Sequence, residues 1–88
     1  MKLYRIYTEN INIDKIKSIL NNHFENYTLI DSLGVWQGTE EKSLIIEVIL
    51  RELTSNKEKI SLVANEIKAI NNQQAVLIIS QTIDVKLV

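Results

Sequence analysis

One histidine, eleven acidic residues, no cysteine and a scatter of serines are what this 88-residue chain has to do chemistry with. His23 could act as a base or a metal ligand, but it falls at the end of an amphipathic stretch beside Asn21 and Asn22. There the ordinary reading is a solvated side chain near the negative end of a helix dipole. Glu40-Glu41, with Asp31 and Glu47 not far off, supplies the oxygen ligands that a hard cation takes. The two glutamates read as part of an exposed turn, however, and strand alternation sends Asp31 and Glu47 to opposite faces, so a solvated charge pair is expected. Ser18, Ser32, Ser43, Ser55, Ser61 and Ser80 sit in no nucleophile elbow, and Ser55 suits a capping role. Gly34-x-x-x-Gly38 lacks the frame and the Lys-Ser or Lys-Thr of a phosphate-binding loop, and it precedes a strand rather than a helix. Without cysteine there is no thiolate nucleophile, disulfide or Cys-based metal site. A non-enzymatic protein with no cofactor and no metal site is therefore expected.

Trp36, the only tryptophan, suits binding better than catalysis. It falls at the end of an apolar strand beside a tight turn, where it would either contact a partner or cap the sheet edge.

The elements that position these residues follow from periodicity. Residues 3–8 alternate, with Tyr4 and Ile6 on one face and Leu3, Arg5 and Tyr7 on the other, as a strand requires. Asn10 or Asn12 can cap the helix that follows, whose stripe is Ile13, Ile16, Leu20 and Phe24, with Ile19 beside it. Residues 27–36 read as a second strand, with Leu29, Leu33 and Val35 on one parity and Thr28, Ile30, Ser32 and Trp36 on the other. Asp31 intrudes on the apolar parity as a bulge or edge marker. Residues 37–42 read as a hairpin turn. The next strand has Leu44, Ile46, Val48 and Leu50 on one face and Ile45, Glu47, Ile49 and Arg51 on the other. Ser55-Asn56-Lys57-Glu58 has capping-box spacing, and its helix carries Ile60, Val63, Ala64, Ile67 and Ile70 to an end at Asn71-Asn72. Residues 74–80 form a last strand, apolar on both parities, and alternation from Ile83 to Leu87 suggests that pairing runs on to the C-terminus.

Strand, helix, strand, strand, helix, strand predicts one α+β domain over residues 1–88. It is a ferredoxin-like βαββαβ fold with a four-stranded antiparallel sheet in the order 4-1-3-2 and both helices on one face. The crossovers are expected to set strand one parallel to three and two parallel to four. Ile6, Leu29, Leu33, Leu44, Ile46, Val48, Leu50 and Leu77 are expected in the core. The open face would then display Leu3, Arg5, Tyr7, Ile30, Trp36, Ile45, Glu47, Ile49 and Ile78, with Arg5 and Glu47 paired on adjacent strands. So apolar a surface predicts a cover. Arg5, Tyr7, Ile30, Trp36, Ile45, Glu47 and Ile49 are the candidate interface residues.

Ten basic residues scattered singly against eleven acidic ones give a net charge of -1, which argues against nucleic-acid binding. No apolar run approaches the ~20 residues of a membrane span. The first residues lack a signal-peptide core, and a cytoplasmic protein is expected.

The segment Gly34-Val35-Trp36-Gln37-Gly38-Thr39-Glu40-Glu41-Lys42-Ser43-Leu44-Ile45-Ile46-Glu47-Val48 resembles the central hairpin of CutA-like proteins, a branch of the PII-like group. There a Trp-x-Gly precedes an acidic turn and a strongly apolar strand. The resemblance implies a ferredoxin-like subunit that forms trimers through sheet contacts, with ligand clefts between subunits. This chain has no long nucleotide-binding loop and no metal cluster, so no ligand residues carry over. Two functions fit these observations. The first is a binding or regulatory module, dimeric or trimeric through the open face, that takes a small ligand or a target protein. The alternative is a phage or mobile-element inhibitor or adaptor that docks on a larger host protein, in keeping with a composition rich in Ile, Asn and Lys.

Overall fold

In the first strand every second side chain is buried and its neighbours are half exposed, and that alternation orients the whole sheet. The computed structural model describes residues 1–88. It comprises β1 (Lys2–Glu9), α1 (Ile13–His23), β2 (Thr28–Trp36), β3 (Thr39–Leu50), α2 (Thr54–Ile70) and β4 (Leu77–Thr82). The sheet order is β2-β3-β1-β4, and every neighbouring pair is antiparallel. This is the expected ferredoxin-like α+β fold.

The strand directions differ from expectation. β1 and β2 are both antiparallel to β3 and so run parallel to each other, and β4 runs parallel to β3. A helical crossover brings the chain back to the end it left, so the two strands that it joins share a direction.

The core lies between the sheet and both helices. Tyr4 and Ile6 from β1 and Leu44, Ile46 and Val48 from β3 meet Ile16, Leu20 and Phe24 of the first crossover and Ile60, Val63, Ala64 and Ile67 of the second. Leu29, Leu50 and Ile78 pack against its rim. Two expected core residues lie elsewhere. Leu33 is 66% exposed because β2 and β3 run on past the end of β1, and it pairs there with Lys42. Leu77 is 58% exposed because β4 has the opposite parity to the one expected: Ile78 pairs with buried Ile6, while Leu77 pairs with Tyr7 on the open side.

The hairpin is tighter than its polar sequence suggests. Trp36 pairs directly with Thr39, so the turn is Gln37-Gly38 alone. Both residues have positive φ, 50° and 79°, as a type I′ turn requires. Glu40 and Glu41 are therefore strand residues on opposite faces of β3, not turn residues.

The helix ends use different groups from those expected. Asn12 sits at the N-cap of α1 in a left-handed conformation without a side-chain cap bond. Its amide donates instead to Asn71 Oδ1 at 3.0 Å and to the Ile70 carbonyl at 3.3 Å. Leu53 occupies the N-cap of α2, so Ser55 falls inside the first turn and the capping box does not form. Asn56 instead donates its side-chain amide to the Arg51 carbonyl at 2.9 Å. The other end of α2 closes as expected, with left-handed Asn72 following Asn71. After Thr82 the tail makes one further backbone bond, from Ile83 N–H to the Met1 carbonyl at 3.1 Å, so regular pairing does not reach the C-terminus.

No helix of the chain is long and apolar enough to cross a membrane.

Candidate functional site

Register turns the open face into rows that cross the sheet. Pairing of Ile30 with Ile45, Ile45 with Tyr7 and Tyr7 with Leu77 lays one apolar row over all four strands. The next row reads Thr28, Glu47, Arg5 and Ile79, and beyond it stand Ile49, Leu3 and Gln81. Leu77 is 58% exposed and Ile49 46%, while Leu3, Tyr7 and Ile45 are half-buried. Of the candidate interface residues, Tyr7, Ile30, Ile45 and Ile49 therefore lie together around the predicted ion pair. Ile78, expected here, lies on the helix side, and Leu77 and Ile79 take its place.

Arg5 Nε donates to Glu47 Oε2 at 2.6 Å. The bond to Glu47 raises the arginine above its ordinary range, with the neighbouring negative charge adding to the effect against partial desolvation. A covered face holding this pair retains a partner for each charge, which costs far less than burying either alone.

Trp36 is on the expected face but outside the cluster. β1 ends opposite Ser43, so residues 33–42 project beyond it as a two-stranded arm, and Trp36 stands at the tip, 57% exposed. Between the arm tip and the apolar row lies a low floor. Ser32 faces Ser43, their hydroxyls hydrogen-bonded to each other, and Gly34 faces Glu41. Glu9 borders the floor from β1, opposite Ser43.

The remaining candidates disperse. His23 Nε2 lies 3.7 Å from Glu66 Oε1 and bridges the two helices, so it is less solvated than a frayed helix end. Asp31 shows no bulge; it sits on edge strand β2, on the helix side, and accepts from Asn10 Nδ2 at 3.0 Å. It is thus on the opposite face from Glu47, as alternation requires. No three acidic or histidine side chains converge on a point where a metal could sit.

A polar knot has no signature in the sequence. Thr8, one of two buried polar residues, donates its hydroxyl to Gln73 Oε1. Asn71, the other, donates to Thr8 Oγ1 at 3.2 Å and to Gln73 Oε1 at 3.1 Å. With the bond from Asn12, this ties the end of α2 to β1 and to the start of α1. Thr8 and Asn71 are 63 residues apart in sequence, and no local motif announces such a contact.

No family model and no curated protein sequence matches the chain. Solved structures do. A phage SAM lyase in complex with S-methyl-5′-thioadenosine superposes with a TM-score of 0.71 at 18% identity, covering 91% of this chain and 79% of that one. The same kind of enzyme in its apo state gives 0.73 at 20% identity, covering 91% and 78%. A DUF3240 family protein from Shewanella baltica gives 0.70 at 10% identity, covering 99% and 93%. CPII, a nitrogen regulatory PII-like protein from Thiomonas intermedia bound to ADP, AMP and bicarbonate, gives 0.68 at 12% identity, covering 98% and 92%. At these identities the likeness is one of fold alone, a ferredoxin-like α+β architecture that the chain shares with these proteins. It also overturns the expectation of a non-enzymatic protein, because an S-adenosylmethionine lyase is built on this same fold. The absence of acid–base pairs is too narrow a ground for that expectation: a sulfonium carries its own leaving group, and its cleavage depends more on placement than on proton transfer.

Proposed function

We propose that this protein is a small homo-oligomeric module that binds an adenosine-containing small molecule beside a subunit interface made by the open sheet face. The observation that carries the reading is the apolar row Ile30, Ile45, Tyr7 and Leu77, which crosses all four strands with the Arg5–Glu47 pair satisfied alongside it. An 88-residue domain gains little from leaving such a row wet, and covering it adds apolar burial to a fold that has few other reserves. The ligand class is supported by two proteins of the same fold whose structures hold adenine compounds, S-methyl-5′-thioadenosine in one and ADP and AMP in the other.

Calorimetric titration with S-methyl-5′-thioadenosine, S-adenosylmethionine, AMP and ADP tests this. Saturable binding of at least one of the four, with one site per chain, is expected. Absence of heat and of any thermal stabilisation with all four would remove the ligand class. A second reading, cleavage of S-adenosylmethionine, is favoured by the two phage lyases of the same fold. Release of S-methyl-5′-thioadenosine during the S-adenosylmethionine titration would assign it.

A further inference from the structure

The arm formed by residues 33–42 is built unlike the rest of the open face. Its floor is low, because Ser32, Gly34 and Ser43 carry the smallest side chains there. One flat aromatic ring, Trp36, rises at one end. Carboxylates border it: Glu41 lies across from Gly34, and Glu9 lies across from Ser43. By strand geometry the Trp36 and Glu41 backbones are about 8 Å apart on the same face, two residues along and one strand across. That is the span from an adenine ring to the hydroxyls of its ribose.

Charge on this face is one-sided. Of the basic strand residues, Lys2 and Lys42 lie on the helix side, paired with Leu50 and Leu33. Only Arg5 shares the open face, and it is committed to Glu47 at 2.6 Å. No free strand cation is there to meet a phosphate, while Glu9 and Glu41 repel one.

Resting on the adenosyl-ligand reading above, we infer that the arm floor is the ligand subsite and that it takes phosphate-free adenosyl compounds, thioethers or sulfoniums, in preference to nucleotides. Trp36 stacks the adenine, as indole rings do with any base. Glu41 accepts hydrogen bonds from the ribose hydroxyls, a usual task for a carboxylate beside adenosine. Glu9 lies on the side from which the 5′ substituent departs, where a positive sulfur is attracted and a phosphate is not.

The sole tryptophan reports directly. Titration at low ionic strength with S-methyl-5′-thioadenosine, S-adenosylmethionine and AMP, read by Trp36 emission and by calorimetry, is expected to give saturable quenching. The two sulfur compounds should bind at least tenfold more tightly than AMP. Glu41→Gln should weaken the thioether at least fivefold and narrow its advantage over AMP. Equal or tighter binding of AMP would overturn the charge argument. Calorimetric binding that leaves Trp36 emission and the Glu41→Gln affinity unchanged would move the subsite elsewhere while keeping the ligand class. No binding by any adenosyl compound would overturn the reading beneath it as well. Trp36→Phe, which keeps a stacking face, should retain most of the affinity, and its failure to do so with the fold intact would contradict a stacking role.

Discussion

With the open face covered by copies of the chain, as proposed, Ile45→Asp should yield single copies without unfolding them. Ile45 is the middle of the apolar row, between Ile30 on β2 and Tyr7 on β1, and its side chain points away from both helices. In a covered face the new carboxylate would be desolvated with no cation to meet it, since Arg5 is held by Glu47. A change of this kind at the centre of an interface costs roughly 2–4 kcal/mol or more, which is at least about 30-fold in affinity. Sedimentation velocity at matched concentrations checks the shift in mass, and circular dichroism should show the secondary structure retained. Unchanged assembly would place the interface elsewhere.

One residue along, the consequence reverses. Ile46 is fully buried, paired with Ile6 on one side and Leu29 on the other, and it faces the helices. Truncation to alanine leaves a cavity in the core and should cost about 2–5 kcal/mol. A domain of this size has about 4–13 kcal/mol in total, so the variant should lose a large share of its stability. For a domain this small each kcal/mol moves Tm by about 4–8 °C, so a loss of about eight degrees or more is expected. Thermal melts must be run at one protein concentration, because assembly itself raises Tm. Ile45→Ala, measured alongside, should lose much less fold stability. Equal losses at the two positions would mean that the sheet has two equivalent cores.

The contrast between these neighbours is legible in the sequence. β1 and β3 alternate strictly, so the face of each side chain, the core and the Arg5–Glu47 pairing all follow from residue order alone. β4 offers no such guide. Residues 75–79 are apolar at every position, so periodicity carries no sign, and only the register with β1 decides the parity of Leu77 and Ile78. Polarity hides the arm: Thr39, Glu40 and Glu41 look like a turn, and only the positive φ of Gln37 and Gly38 closes the chain in two residues. A six-residue turn would set Trp36 beside the isoleucines, from which the Ser32–Ser43 and Gly34–Glu41 rows in fact separate it. The strand directions need only the rule that crossovers preserve direction. A lack of acid–base pairs, for its part, says nothing of chemistry whose leaving group is already activated.

Whether copies of the same chain cover the open face is tested most directly by the mass of the wild-type protein in solution. Light scattering across a chromatographic peak at micromolar concentration should give a whole multiple of 10.1 kDa, two or three copies, that falls to one in Ile45→Asp. A steady single-copy mass for the wild-type chain over the whole concentration range would contradict it.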